Sequence, residues 1–296
     1  MKVYMVNWLK TEQTSYFKVN WRRELNVLSI DCEDWFHGLE IGMENWHKFE
    51  NRIEKNTLKL LDLLQETGTK ATFFILGYVA EKFPQLVVEV ARKGHEIGSH
   101  GYSHQFVYKQ SPNGFRQEMS RSLESLEKLS GQKILSYRAP FFSITQSSLW
   151  ALEILADLGI LFDSSIFPVI NYRYGIPQAP RFPYWTMTKN GSKILEFPIS
   201  TLRILGKNIP IAGGAYFRIF PYQFTKAGIK SLNRKNKPVI FYLHPWEIDP
   251  EHPKIKLPRR ISLTHYYNLS QTETKFKKLL RDFRFIPLKK VLEDAD

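Results

Sequence analysis

Leu25-Asn26-Val27-Leu28-Ser29-Ile30 runs straight into Asp31-Cys32-Glu33-Asp34. An apolar run of strand length that ends in acids reads as a buried strand with polar groups at its exit. Beyond it, Ile53, Leu58, Leu61 and Leu64 recur at near-helical spacing between Asn51 and Thr67, with Gly68 as a stop. Lys70 to Leu76 is a second strand, Pro84 to Lys93 a helix closed by Gly94, and Glu96-Ile97-Gly98-Ser99 a third strand leading into His100. Further helices are expected over Pro112–Leu129, Ser147–Leu158, Tyr222–Asn233 and Gln271–Phe283, with a strand from Pro238 to Leu243. Strand–helix alternation over most of the chain predicts an α/β fold with a largely parallel sheet, open or closed into a barrel. The Pro-, Gly- and aromatic-rich stretch 171–218 is expected to form loops and short strands on one rim.

The 296 residues suffice for one large domain, and 43% hydrophobic with 14% aromatic residues can build its core. The single cysteine, Cys32, excludes an internal disulfide framework and a cysteine metal cluster. Lying between acids, it also makes a poor thiolate nucleophile. Ile211-Ala212-Gly213-Gly214-Ala215-Tyr216 lacks the endings of nucleotide-binding loops, so nucleotide chemistry is unsupported. A net charge of +13 invites an anionic partner, but charge alone cannot choose one. Lys10, Glu12 and Gln13 interrupt every candidate signal-peptide core, and no run approaches the length of a membrane helix.

Polar clusters stand at the predicted strand exits, where α/β sheets carry function. His100 and His104, four apart around Gly101, can converge on a metal together with one carboxylate, leaving a position for water; the alternative is a surface loop histidine. Asp31, Glu33 and Asp34 offer one carboxylate for a metal and another as general base. His244 at a strand exit suits protonation of a leaving group, or a structural hydrogen bond. Arg138, ahead of Pro140, suits bidentate orientation of a carboxylate, or an ordinary ion pair.

In this order, the clusters resemble the polysaccharide deacetylases of the NodB-homology group (carbohydrate esterase family four). Glu96 to His104 looks like that family's two-histidine metal motif, Tyr137-Arg138-Ala139-Pro140 like its Arg-x-Pro motif, and Leu243-His244-Pro245 like its late Leu-His motif. The stretches Gly213–Arg218, His244–Pro250 and His265–Leu269 resemble a branch found with bacterial exopolysaccharide biosynthesis, similar also to peptidoglycan-deacetylase-like and allantoinase-like members. The resemblance implies a distorted (β/α) barrel of about seven strands over residues 24–296, preceded by a basic and aromatic arm over 1–23. It implies a divalent metal, foremost Zn2+ with Co2+ or Ni2+ as alternatives, held by His100, His104 and either Glu33 or Asp34. The family motif has adjacent aspartates; here Asp31-Cys32-Glu33-Asp34 departs from it, and Glu33 is preferred to Asp34 by its face.

The implied reaction is hydrolysis of an N-acetyl group on a sugar. Asp31 is the base, oriented by Arg138; His244 protonates the departing amine; and a backbone N–H beside Phe141, just after Pro140, meets the oxyanion. Asp163 supports a loop or the imidazole, and Trp35, Tyr216 and Trp246 are sugar-stacking surfaces or core. The rivals are an amidohydrolase of the same fold acting on a small amide or ureide, and a non-catalytic glycan-binding relative. The expected partner is an N-acetylated glycan, not nucleic acid. The expected location is the cytoplasm, at most peripheral at the inner membrane face. There the basic residues of both chain ends would face an anionic membrane surface or a lipid-linked glycan.

Overall fold

The computed structural model of the chain describes residues 25–188 and 190–293, so the arm expected over 1–23 lies outside the described residues. The opening strand, β1 (Leu25–Cys32), is two residues longer than its apolar run, because Asp31 and Cys32 still pair with Phe74 and Ile75 of β2 (Thr72–Ile75). Between them lies α1 (Ile53–Glu66), whose buried Ile53, Leu60, Leu61 and Leu64 lie on the expected stripe, whereas Leu58 is exposed. Gly68 ends it with φ 62°, the left-handed conformation that glycine adopts without a Cβ penalty.

There follow α2 (Gly77–Lys82), α3 (Pro84–Arg92), β3 (Glu96–Ser99), α4 (Pro112–Ser130), β4 (Ser136–Tyr137), α5 (Trp150–Asp157) and β5 (Phe162–Asp163). The less regular stretch holds β6 (Tyr184–Met187), β7 (Lys193–Glu196), β8 (Thr201–Ile204) and β9 (Lys207–Pro210). The chain continues through α6 (Gly214–Ile219), α7 (Tyr222–Asn233), β10 (Ile240–Leu243), α8 (Arg259–Tyr266), α9 (Thr272–Asp282), β11 (Arg284–Ile286) and α10 (Lys290–Glu293). Among the described residues, no helix is long and apolar enough to cross a membrane.

The strand order is β10-β1-β2-β3-β4-β5-β7-β6, with β11 pairing the first residues of β1. The first seven strands of that order run parallel, and β6 closes the edge antiparallel to β7. The sheet curls into a half-barrel. Strands β2, β3 and β10 are buried throughout, as a parallel sheet covered on both faces requires. One core cluster, around Leu28, Ile30, Phe73, Ile97 and Phe241, lies under the helices; a second, around Phe74, Phe142, Phe162, Phe167 and Ile240, fills the concave side.

The stretch expected to decorate one rim does more than that. β7 is an integral strand, pairing Phe162 and Asp163 with Leu195 and Glu196, and only the β8–β9 hairpin stands apart. The strand was disguised because Ile194-Leu195 lies between Lys193 and Glu196, and Glu196 is fully buried despite its carboxylate.

Candidate metal centre and cleft

Because the strands are parallel, the residues that follow β1, β3, β4, β5 and β10 leave the sheet at one rim. The register confirms the alignment: Ile30 lies beside Leu243, Cys32 beside Ile75, Ile75 beside Ser99, and Ser99 beside Tyr137. Glu33, His100, Arg138, Ser164 and His244 are each the first residue beyond a strand.

After β3 the chain bends through two left-handed residues, Gly101 (φ 76°) and His104 (φ 55°), and this bend returns the second imidazole toward the first. Nε2 of His104 contacts Oε2 of Glu33, and Nε2 of His100 lies 3.9 Å from the same oxygen. One donor atom from each of Glu33, His100 and His104 lies within 4.8 Å of the others, and all three side chains are buried. Nδ1 of His100 is 2.8 Å from the Arg138 carbonyl oxygen. A carbonyl only accepts, so this nitrogen carries the proton and Nε2 keeps its lone pair toward the cluster. Oε2 of Glu33 has no hydrogen-bond donor. A buried acceptor without a donor, beside a free imidazole lone pair, fits a divalent cation bound by two nitrogens and one oxygen. Burial alone would raise the Glu33 pKa, but His104, His244 and His100 outweigh it and hold the carboxyl below its ordinary range. Burial lowers His100 to about 4, so it stays neutral and available as a ligand.

Asp34, the alternative ligand, is turned the other way. Its Oδ1 accepts from the Trp35 N–H at 2.9 Å, and its Oδ2 accepts from the N–H groups of Arg52 (2.7 Å) and Ile53 (3.1 Å) at the start of α1. It is therefore a helix-capping acid, committed to backbone donors that would otherwise be orphaned. Cys32 is fully buried and its thiol is pushed up to about 12, first by burial and only secondarily by the neighbouring acids.

Two groups flank the cluster. Oδ1 of Asp31 accepts from Nη1 of Arg138 at 2.6 Å, while its Oδ2 lies 4.0 Å from Nε2 of His244. The Arg138 guanidinium is wholly buried, and it also donates to Ser29 Oγ, the Ser164 carbonyl and Ser164 Oγ. His244 places Nε2 3.3 Å from Glu33 Oε1 and is held through Nδ1 by Glu247 Oε2 at 2.8 Å. Burial alone would lower the His244 pKa; Glu247, Glu33 and Asp31 reverse this and raise it to about 9. Glu247 is itself held near 2, against burial, by Arg218 and His244. Arg218 donates to Glu247 at 2.7 Å and to the carbonyls of Thr264, His265 and Tyr267.

Asp31, Glu33, His100, His104, Arg218, His244 and Glu247 line a cleft of about 180 Å3 that also includes Phe141, Arg173, Tyr174, Tyr242, Trp246 and His265, with Arg138 buried behind Asp31. Of the expected sugar surfaces, Trp246 is on the lining, stacked between the His244 and His265 rings. Trp35 is not: it is 1% exposed, donates to the Glu50 carbonyl and packs on Phe36, Phe49 and His252 as core. Tyr216 packs against the concave core, its hydroxyl 3.2 Å from that of Tyr174. Pro140 sits behind the lining, near Gly101, while Phe141 (φ 56°) turns onto it with its ring stacked on Phe106.

Asp163 lies away from His244, bonded to Ser165 Oγ, which in turn accepts the Ala139 N–H. Its neighbour is the buried carboxyl of Glu196, and burial raises both pKa values. Asp163 therefore braces the loop beside Arg138, not the imidazole. Glu247 and Arg218 were absent from the candidate residues. The signal for Glu247 was the His-x-x-Glu spacing after a strand, the spacing of a capping box; the buried role of Arg218 left no local trace.

Two imidazoles and a carboxylate at the rim of a curled parallel sheet make a donor set that could hold a metal ion in an α/β protein. Residues 46–161 match the family model described as polysaccharide deacetylase, and residues 164–293 match that of a domain of unknown function, DUF3473. The stretch 46–161 therefore belongs to the polysaccharide deacetylase family. A peptidoglycan-N-acetylglucosamine deacetylase of Bacillus cereus is 41% identical over 98 residues, 33% of this chain and 36% of that protein, so the match spans about a third of each. An uncharacterized 30.6 kDa protein of Geobacillus stearothermophilus is 31% identical over 200 residues, covering 62% of this chain and 75% of its own length. In fold, the chain is similar to a polysaccharide deacetylase structure described as putative, from Mycobacterium smegmatis, with TM-score 0.63 and 18% identity over 92% of this chain and 89% of that one. Asp31 and Glu33 precede both matched segments, while Arg218, His244 and Glu247 fall in the second. The cleft is thus assembled from all three parts of the chain.

Proposed function

We infer that the chain is a metal-dependent hydrolase that removes N-acetyl groups from sugar residues of a polysaccharide or its oligosaccharide precursor. The observation that carries this is the convergence of Glu33, His100 and His104 between the Asp31–Arg138 pair and the His244–Glu247 pair. When bound by Glu33, His100 and His104, a divalent ion, foremost Zn2+, supplies Lewis acidity to the amide carbonyl and makes water a better nucleophile near neutral pH. Asp31, its Oδ1 fixed by Arg138, takes the proton of the attacking water. The amide carbon gains oxygen, its C–N bond breaks, and acetate and a free amine leave. His244 supplies the proton to that amine: Glu247 fixes its Nδ1, so Nε2 faces the cleft, and the Glu247 carboxylate favours the protonated ring. The Phe141 amide is the proposed oxyanion donor. Trp246 offers the sugar an aromatic wall, with the Phe141 and Tyr174 rings on the same lining.

This reading treats 24–296 as one deacetylase domain. The pairing of β7 with β5 and of β10 with β1 supports it, since these contacts knit the second matched segment into the sheet of the first. An exopolysaccharide precursor is the proposed substrate within the class. The test is acetate release from N-acetylglucosamine oligomers by the metal-loaded protein, run beside allantoin. The expected result is turnover of the oligomers alone, reduced about 10²–10⁴-fold in Asp31→Asn with metal content unchanged. Turnover of allantoin alone would replace the glycan by a ureide, and an unaffected Asp31→Asn would remove Asp31 as base.

A further inference from the structure

The rim of the cleft carries a second pattern, independent of the metal centre. Three segments meet there: 168–181 after β5, the β8–β9 hairpin, and 252–267 leading through α8. Asn208 of the hairpin donates to the Pro168 carbonyl at 2.7 Å, and Arg181 bonds the Thr201 carbonyl and hydroxyl. Arg260 of α8 lies 4.3 Å over the Tyr172 ring. Arg173, Ile261 and Thr264, one or more from each of the outer segments, line the cleft itself.

None of the three segments contains Asp or Glu, and together they expose Arg203, Lys207, Lys254, Lys256, Arg259 and Arg260. Glu40, paired with Arg173 at 3.0 Å, is the acid facing this loop, and Glu251 precedes the third segment. The same segments hold apolar side chains in water: Leu205 at the hairpin tip is 97% exposed, Ile170 90%, Tyr172 65% and Leu263 61%. A folded chain gains nothing from aliphatic tips in water, and cations beside them are what an anionic interface attracts.

We propose that this rim docks on an anionic lipid bilayer, with Ile170 and Leu205 entering the acyl boundary and the surrounding cations on the headgroups. A soluble acidic polymer is the weaker occupant, because fully exposed Leu and Ile tips add nothing to polyanion binding, whereas hydrocarbon receives them. The cleft then opens toward the membrane, which limits its glycans to those held at a lipid surface. The docking stands whether or not the deacetylase reading does.

The test is cosedimentation of the full chain with vesicles of phosphatidylcholine plus phosphatidylglycerol, against phosphatidylcholine alone and against soluble polygalacturonate. The expected result is binding to the anionic vesicles only, falling as salt rises. Ile170→Ser/Leu205→Ser should weaken it about 10–100-fold, and Arg203→Gln/Lys207→Gln by a similar factor. Lys230→Gln/Arg234→Gln, in a basic cavity away from the cleft, should leave it unchanged. Equal binding of wild type and the Ile170/Leu205 variant would overturn the proposal by moving the contact elsewhere in the chain. Equal binding to polygalacturonate, or no vesicle binding, would overturn it as well. Metal content and thermal unfolding of each variant, both expected to match wild type, separate lost docking from lost folding.

Discussion

Glu33 and Asp34 are adjacent acids with different tasks, and the difference is geometric. Glu33 leaves β1 toward the imidazoles, whereas Asp34, one residue on, meets the exposed N–H groups of α1. Substitution should separate them. Glu33→Gln should lose the metal, read as metal per chain by elemental analysis. Asp34→Asn should keep the metal and cost about 1 kcal/mol of stability in denaturant unfolding, the usual worth of a helix cap. Metal loss in Asp34→Asn with retention in Glu33→Gln would reverse the assignment. From the sequence, face alternation along β1 pointed to Glu33, but side-chain type favoured Asp34. Only the position of α1 relative to the strand decides, and that position is tertiary. Trp35 illustrates the same limit: an aromatic beside acids reads equally as sugar platform or core, and packing on Phe36, Phe49 and His252 makes it core.

At the scale of elements, long periodic helices and apolar strands were readable because their patterns repeat. α4 and α7 lie within a residue of their expected spans, and β1, β2 and β10 carry the apolar runs. β4 and β5 were not, since two residues make no period and their pairing comes from neighbours in the sheet. β3 brings a pH dependence of its own. His95, just ahead of it, is buried with Nδ1 accepting the Ala71 N–H. Burial first, then Lys70 and Lys93, lowers its pKa from 6.5 to about 4. Between those values the unfolded chain binds a proton that the folded chain refuses, so stability is full above about 6.5 and falls as pH drops toward 4. Urea unfolding across this range should show a shallower pH slope in His95→Gln than in wild type, by up to about 1.4 kcal/mol per pH unit. Parallel slopes would clear His95 of that role.

Across the whole molecule, the charge expectation joined both chain ends, and its N-terminal half lies outside the described residues. Several basic residues near the C-terminus are committed to partners within the fold: Arg260 covers Tyr172 at the cleft rim, Lys275 bonds the carbonyls of Phe217, Arg218 and Phe220, and Lys277 pairs with Glu273. Position in sequence says little about where a charge points once helices pack. The strand order carries a further consequence. β1, the first strand among the described residues, pairs with β10 and β11, which lie more than half the chain away. During synthesis the edge of β1 therefore waits unpaired until the last strands leave the ribosome, and the cleft cannot close before His244 and Glu247 emerge. A chain ended after Asn233 should accumulate as aggregates, seen by light scattering, in place of a metal-binding fragment. A soluble, metal-loaded truncation would show that the edge is guarded by other means. Until β10 arrives, the nascent protein depends on whatever shields an open strand.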